Sequence, residues 1–199
     1  MSKILVLFAH PKFERSRVNK LLVEKIRKRS SVTFHDLYER YPDFNIDVVF
    51  EKELLAKHDI IIWHHPFYWY SCPPLMKQWI DVVLEFKWAY GPEGNALKGK
   101  QALNVLTLGG SREVYCAEGR NHYTVNEFLR PFEQTARLCG MDYLPPFAIL
   151  GTHRLSDTDL VKYAAQYDAL ITLLLQGVAP REVGKCDYFN DVEELKNLM

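Results

Sequence analysis

Ile60-Ile61-Ile62-Trp63-His64-His65-Pro66-Phe67-Tyr68-Trp69-Tyr70 is the stretch on which the reading of this chain turns. Its first four residues form an unbroken apolar run, the pattern of a strand buried on both faces. After Pro66 come four successive aromatics, and neighbouring side chains on an extended segment point to opposite sides. They cannot all enter one core. Some must line a surface cleft, where rings suit a flat apolar ligand. The alternative packs Trp69 and Tyr70 against the helix that follows. His64 and His65 point apart for the same reason, no third ligand is evident, and no metal site is expected.

On either side of this stretch, strand-like and helix-like patterns alternate, which predicts an α/β fold with a parallel sheet covered on both faces. Strands are expected over residues 3–9, 32–35, 59–63, 101–108 and 143–150. The last contains Pro145-Pro146, which suits an edge or a bulge. Ser16 caps a helix running to about Arg29, Pro73 and Pro74 open one reaching Glu85, and Thr124 caps one stopped by Gly140. Further helices fall over 47–57 and 160–174. Five strands with these connections fit a doubly wound sheet in the order 2-1-3-4-5. One domain is expected over residues 1–177, followed by a polar tail, 178–199, with a short helix over 191–198.

At 199 residues the chain fills one α/β domain. Hydrophobic content is 48% and Lys+Arg balance Asp+Glu at 25 each. This balance indicates neither a nucleic-acid surface nor an acidic electron carrier. No apolar run approaches the roughly 18 residues of a membrane span. Met1-Ser2-Lys3 leads into a strand without a signal-peptide pattern, and the four cysteines form no short-spaced pair. Reduced thiols in a cytoplasmic protein are the expectation.

In doubly wound sheets ligands sit beyond the carboxyl ends of the strands where the winding reverses, and three loops fall there. The first runs from His10 to Asn19. Free N–H groups at a helix start, the Ser16 hydroxyl, His10 and nearby basic residues make an anion site, although Ser16 as a plain cap and His10 as a surface histidine explain the loop too. The loop lacks the Gly-x-Gly-x-x-Gly and Walker patterns. The second loop is the aromatic one. The third follows Thr107-Leu108 with Gly109-Gly110, where bare backbone can meet a ligand. Tyr115 and His122 lie in the same excursion as a phenol donor and a proton-relay imidazole, unless both are structural.

Several separated motifs, in order, resemble the flavodoxin-like NAD(P)H:quinone oxidoreductases, and most closely their short bacterial members, such as the potassium-efflux ancillary oxidoreductase. They are Ala9-His10-Pro11 with Ser16 and Asn19, Tyr41 to Asp47, Pro66-x-x-Trp69-Tyr70-x-x-Pro73-Pro74, Trp88-Ala89-Tyr90-Gly91, Gly109-Gly110 and Leu144-Pro145-Pro146-Phe147. The resemblance implies that His10, Ser16, Arg17, Val18 and Asn19 surround a flavin phosphate and ribityl chain. Phe67, Tyr68, Trp69 and Tyr70 border the flavin ring on one side, and Thr107, Leu108, Gly109 and Gly110 on the other. Tyr115 and His122 match that family's tyrosine and histidine beside the flavin, with His122 one residue further on. FMN rather than FAD is implied, because the long carboxyl-terminal extension of the FAD-using members is not seen. The implied activity is ping-pong two-electron transfer from NAD(P)H to a quinone or related electrophile, in a homodimer. A flavin-binding regulatory subunit of a potassium-efflux transporter and a flavodoxin-type electron carrier are the alternatives.

Overall fold

Along strands β1 (Ile4–Phe8) and β3 (Ile60–Pro66) every side chain is buried, and odd and even positions enter different cores. Leu5, Leu7, Ile61 and Trp63 face one side, and Ile4, Val6, Ile60 and Ile62 the other. A sheet sandwiched between two helical layers needs this unbroken apolarity. The computed structural model describes residues 2–177, 183 and 186–199. Within them the sheet is parallel and ordered β2-β1-β3-β4-β5, with β2 Val32–Asp36, β4 Gln101–Thr107 and β5 Asp142–Tyr143. The expected strand order is the observed one.

The expected fifth strand is two short pieces. β5 pairs with the start of β4, and β6 (Phe147–Ile149) pairs with its end. Pro145 and Pro146 lie between them and have no N–H to continue the ladder. β3 runs three residues beyond its expected end, which carries His64 and His65 into the sheet.

Helices α1 (Arg17–Ile26) and α7 (Asp157–Leu175) pack together on one face, burying Leu22, Ile26, Leu160, Tyr167 and Leu170 against the even positions of β1 and β3. The opposite face is covered by α3 (Val48–Ala56), α4 (Pro74–Val83) and α6 (Arg130–Leu138) through Leu55, Trp79, Val83, Phe132 and Ala136. Two short helices precede and break this layer, α2 (Leu37–Arg40), capped by Asp36, and α5 (Val125–Phe128). The single helix expected after Thr124 divides at Leu129, because Pro131 cannot donate to a carbonyl in the preceding turn. Thr124 and Glu127 form a reciprocal capping box.

The tail is less polar in space than in sequence. Residues 178–182, 184 and 185 lie outside the described residues, so the expected boundary at 177 falls beside them. Beyond them Tyr188, Phe189, Val192 and Leu195 are buried, and the short helix α8 spans Glu193–Lys196. Asn190 Oδ1 accepts the Ala148 N–H on the β6 edge at 2.8 Å, and Gln166 Nε2 donates to the Leu195 carbonyl at 2.8 Å. The tail thus covers a sheet edge that would otherwise offer unpaired backbone.

One fully buried carboxylate joins four elements. Glu51 of α3 accepts from Tyr41 Oη at 2.6 Å and Trp79 Nε1 at 2.7 Å, and its Oε1 lies 2.7 Å from His35 Nε2 on β2. Burial and the neighbouring carboxylate push the Tyr41 phenol upward, so it stays a neutral donor. Glu51→Ala strands these groups, and urea unfolding should show a loss of about 3–5 kcal/mol.

Candidate functional site

Parallel pairing brings the site together. Phe8 lies opposite His64, Pro66 opposite Thr107, and Thr107 opposite Ile149, so four strands end at one edge. The loops that follow, residues 9–16, 67–73, 108–124 and 150–156, meet above it. Together they enclose a cavity of about 820 Å³. His10, Ser16, Arg17, Val18, Asn19, Phe67, Tyr68, Thr107, Gly109, Gly110 and Tyr115 all line it. Trp69 and Tyr70 line an adjoining cavity of about 510 Å³, which shares Phe67, Gly109, Gly110, Tyr115 and His153 with the first.

At one end of the larger cavity stands the start of α1. Ser16 is its N-cap, and its Oγ accepts the Asn19 N–H at 3.2 Å. The other N–H groups of that turn remain available to an anion, favoured there by the helix dipole. Lys12 and Arg15 line the cavity and form no ion pair among the described residues. Arg17 is otherwise engaged. It donates to Asp157 Oδ1 at 2.8 Å and to the Leu155 carbonyl at 2.6 Å, tying α1 to the start of α7. Burial lowers the pKa of His10, and its Nδ1 accepts the Lys12 N–H at 3.1 Å. The neutral ring therefore carries its proton on Nε2.

The middle of the site is aromatic wall and bare backbone. Phe67 meets Tyr115 edge-on at 5.9 Å, and Tyr70 stacks on Phe128 at 5.0 Å. A Cβ on Gly109 would lie 2.9 Å from His153 Nε2, and one on Gly110 would lie 2.8 Å from the Tyr115 ring. Only glycine lets the Tyr115 and His153 side chains come this close to the backbone. Burial raises the Tyr115 phenol, which keeps its proton at neutral pH.

Two expected residues fall outside the cavities. The Leu108 side chain is fully buried, its N–H donates to Ile149 at 2.8 Å, and its carbonyl accepts from Thr152 at 3.0 Å. Both its backbone groups are thus paired within the protein, at the root of the Gly109-Gly110 bend. His122 lines neither cavity. With φ +59° it closes a turn through its N–H on the Gly119 carbonyl at 3.0 Å, and its side chain is exposed. The histidine that lines both cavities together with Tyr115 is His153, which the sequence reading passed over. Its signal was position alone, directly after a strand at the same sheet edge, and the proline pair obscured that strand.

A family model described as having a flavodoxin-like fold matches residues 2–171. The chain belongs to that flavodoxin-like family. It is 45% identical over 170 residues to the uncharacterized NAD(P)H oxidoreductase YdeQ of Bacillus subtilis, covering 85% of this chain and 86% of that one. It is 43% identical over 166 residues to the glutathione-regulated potassium-efflux system ancillary protein KefG of Salmonella paratyphi B, covering 83% and 91%. Among solved structures, the general stress protein 14 of Treponema denticola in complex with FMN superposes with a TM-score of 0.83 at 40% identity, covering 86% and 99%. Of the motifs that suggested the resemblance, those around His10 to Asn19, Pro66 to Tyr70 and Gly109-Gly110 supply residues that line the two cavities.

The aromatic turn is strained. Tyr68 and Ser71 exchange both backbone hydrogen bonds, at 3.1 and 2.9 Å, around Trp69 (φ +49°) and Tyr70 (φ +64°). This two-residue turn with two positive φ values favours Asn-Gly, and a bulky residue there costs about 1–2 kcal/mol. Trp69 is 93% exposed, so little burial offsets the cost. Trp69→Gly should therefore raise Tm, by roughly 2–4 °C for each kcal/mol of strain relieved, in a thermal melt.

Proposed function

We propose that this protein is an FMN-dependent NAD(P)H oxidoreductase that reduces quinones or related flat electrophiles by a ping-pong reaction. One observation carries the reading. A helix start with free N–H groups and an aromatic, backbone-lined slot form a single cavity, and a second cavity shares its glycine side. The chain is an oxidoreductase with FMN as cofactor and NAD(P)H as co-substrate.

The residues present fit the cofactor. The first turn of α1, with Ser16, Lys12 and Arg15 around it, would hold the phosphate. Phe67, Tyr68 and the Gly109-Gly110 backbone would border the ring system. FMN supplies the hydride-accepting chemistry when bound, and the protein supplies placement and electrostatics. In this reading donor and acceptor occupy the adjoining cavity in turn, against Phe67, Tyr70 and Tyr115, which line it. Backbone N–H groups at the Gly109-Gly110 bend oppose negative charge that develops beside them. Tyr115, against Gly110, keeps a proton within the slot, and His153 lies against Gly109. A second copy of the chain covers the exposed aromatic rim of Trp69, Tyr70 and Tyr123 in this reading, giving a homodimer.

All four cysteines are free thiols, and no helix among the described residues is long and apolar enough to cross a membrane. A cytoplasmic location belongs to this proposal. The likeness to KefG favours one second reading, a regulatory subunit of a potassium-efflux transporter, with the partly exposed segment from Pro42 to Asp47 as the surface it would use.

Purified protein should be yellow, bleach within seconds on anaerobic NADPH or NADH, and regain colour on adding a quinone. Tyr115→Phe should slow bleaching by about tenfold or more with FMN still bound. A colourless protein that ignores added FMN contradicts the proposal. Turnover too slow to matter, with co-purification of a transporter, selects the regulatory reading.

A further inference from the structure

Behind the α1 end of the cavity a chain of buried polar groups runs inward between the sheet and α7. Asn19 Nδ2 donates to Ser16 Oγ at 2.9 Å and to Thr107 Oγ1 at 3.1 Å. Asn19 Oδ1 lies 3.0 Å from His64 Nε2, and His64 Nδ1 lies 3.4 Å from the Tyr167 hydroxyl. Asn19, His64 and Tyr167 are at most 2% exposed, and Thr107 is 7% exposed. Only Ser16, Thr107 and Asn19 of this chain touch the cavity.

Proton accounting fixes its direction. His64 is wholly buried, burial pushes its pKa well below the usual value, and the neutral ring has one donor and one acceptor nitrogen. The Tyr167 O–H is also buried, and His64 Nδ1 is its one acceptor among the described residues. A buried donor left unpaired is costly, so Tyr167 donates to Nδ1 and the imidazole proton sits on Nε2. Nε2–H then donates to Asn19 Oδ1. The Asn19 amide group is thereby held with both its hydrogens toward Ser16 and Thr107. Ser16 Oγ already accepts from Asn19 Nδ2 and from the Asn19 N–H, and Thr107 Oγ1 accepts from the amide. Neither hydroxyl hydrogen has an acceptor among the described residues. Both are left for the cavity. The reverse arrangement, with Asn19 Oδ1 toward the hydroxyls, would draw both hydrogens inward and strand the Tyr167 proton.

We infer that His64, held by Tyr167, is a positioning residue that turns the Ser16 and Thr107 hydroxyls into outward donors for the phosphate monoester of the cofactor. The inference rests on the FMN reading above. It assigns a binding role to a histidine and a tyrosine that touch no ligand, on β3 and α7. Two oriented donors to a dianion are charge-assisted, which makes their direction matter.

The test is titration of apoprotein with FMN and, separately, with riboflavin, which lacks the phosphate. His64→Leu should weaken FMN binding by about tenfold or more while riboflavin affinity changes by less than about threefold. Tyr167→Phe removes a single oxygen and should lose about threefold for FMN in the same selective way, whether or not the leucine variant folds. Unchanged FMN affinity in folded variants, or equal losses for both ligands, overturns the inference. Failure of the wild-type apoprotein to bind FMN would instead overturn the cofactor reading.

Discussion

Parallel pairing of β3 between β1 and β4 is the constraint on which everything else rests. It aligns Phe8 with His64 and Pro66 with Thr107, so that the loops after these strands start from one line. β6 extends that line through Ile149. Two buried faces then fix the register, because a slip by one residue would turn Ile61 and Trp63 toward the layer built for Ile60 and Ile62. The site is therefore precise without relying on loop stiffness alone.

Upon that line the chain assembles opposites. The α1 end gathers N–H groups, hydroxyls and two cations, while the β3 side contributes rings and strained backbone. Between them Gly109 and Gly110 leave room for His153 and Tyr115 to lie close. Stability is given up at the Trp69-Tyr70 turn, and the buried layers beneath recover it. The carboxyl-terminal residues contribute from the opposite edge. Arg112, at the root of the Tyr115 loop, forms a two-point ion pair with Asp191 at 3.0 and 2.7 Å and lies over Tyr188.

Much of this was legible in the sequence for a physical reason. Long apolar runs at Ile4 and Ile60 state burial on both faces, and the capping residues Ser16 and Thr124 state where helices start. Ten of the thirteen expected cofactor-side residues line the larger cavity, Trp69 and Tyr70 line its neighbour, and Leu108 is turned inward. What stayed hidden depended on distance. Spacing alone does not reveal that His153 lies over Gly109 while His122, the expected proton relay, lines neither cavity. Polar composition concealed Phe189 and Leu195, which become core only once β6 offers an edge. The bonds from Tyr167 to Thr107 join residues far apart in the chain, and no local pattern encodes them.

The account's central claim is that four strand ends make one flavin slot with its anionic end at α1. A crystal structure of the FMN-loaded protein tests this most directly. The phosphate should lie against the first turn of α1, within hydrogen-bond reach of Ser16 and Thr107, with the ring system along Phe67 and Gly109-Gly110. A phosphate bound away from α1, or a slot closed by its own side chains with FMN elsewhere, would contradict it.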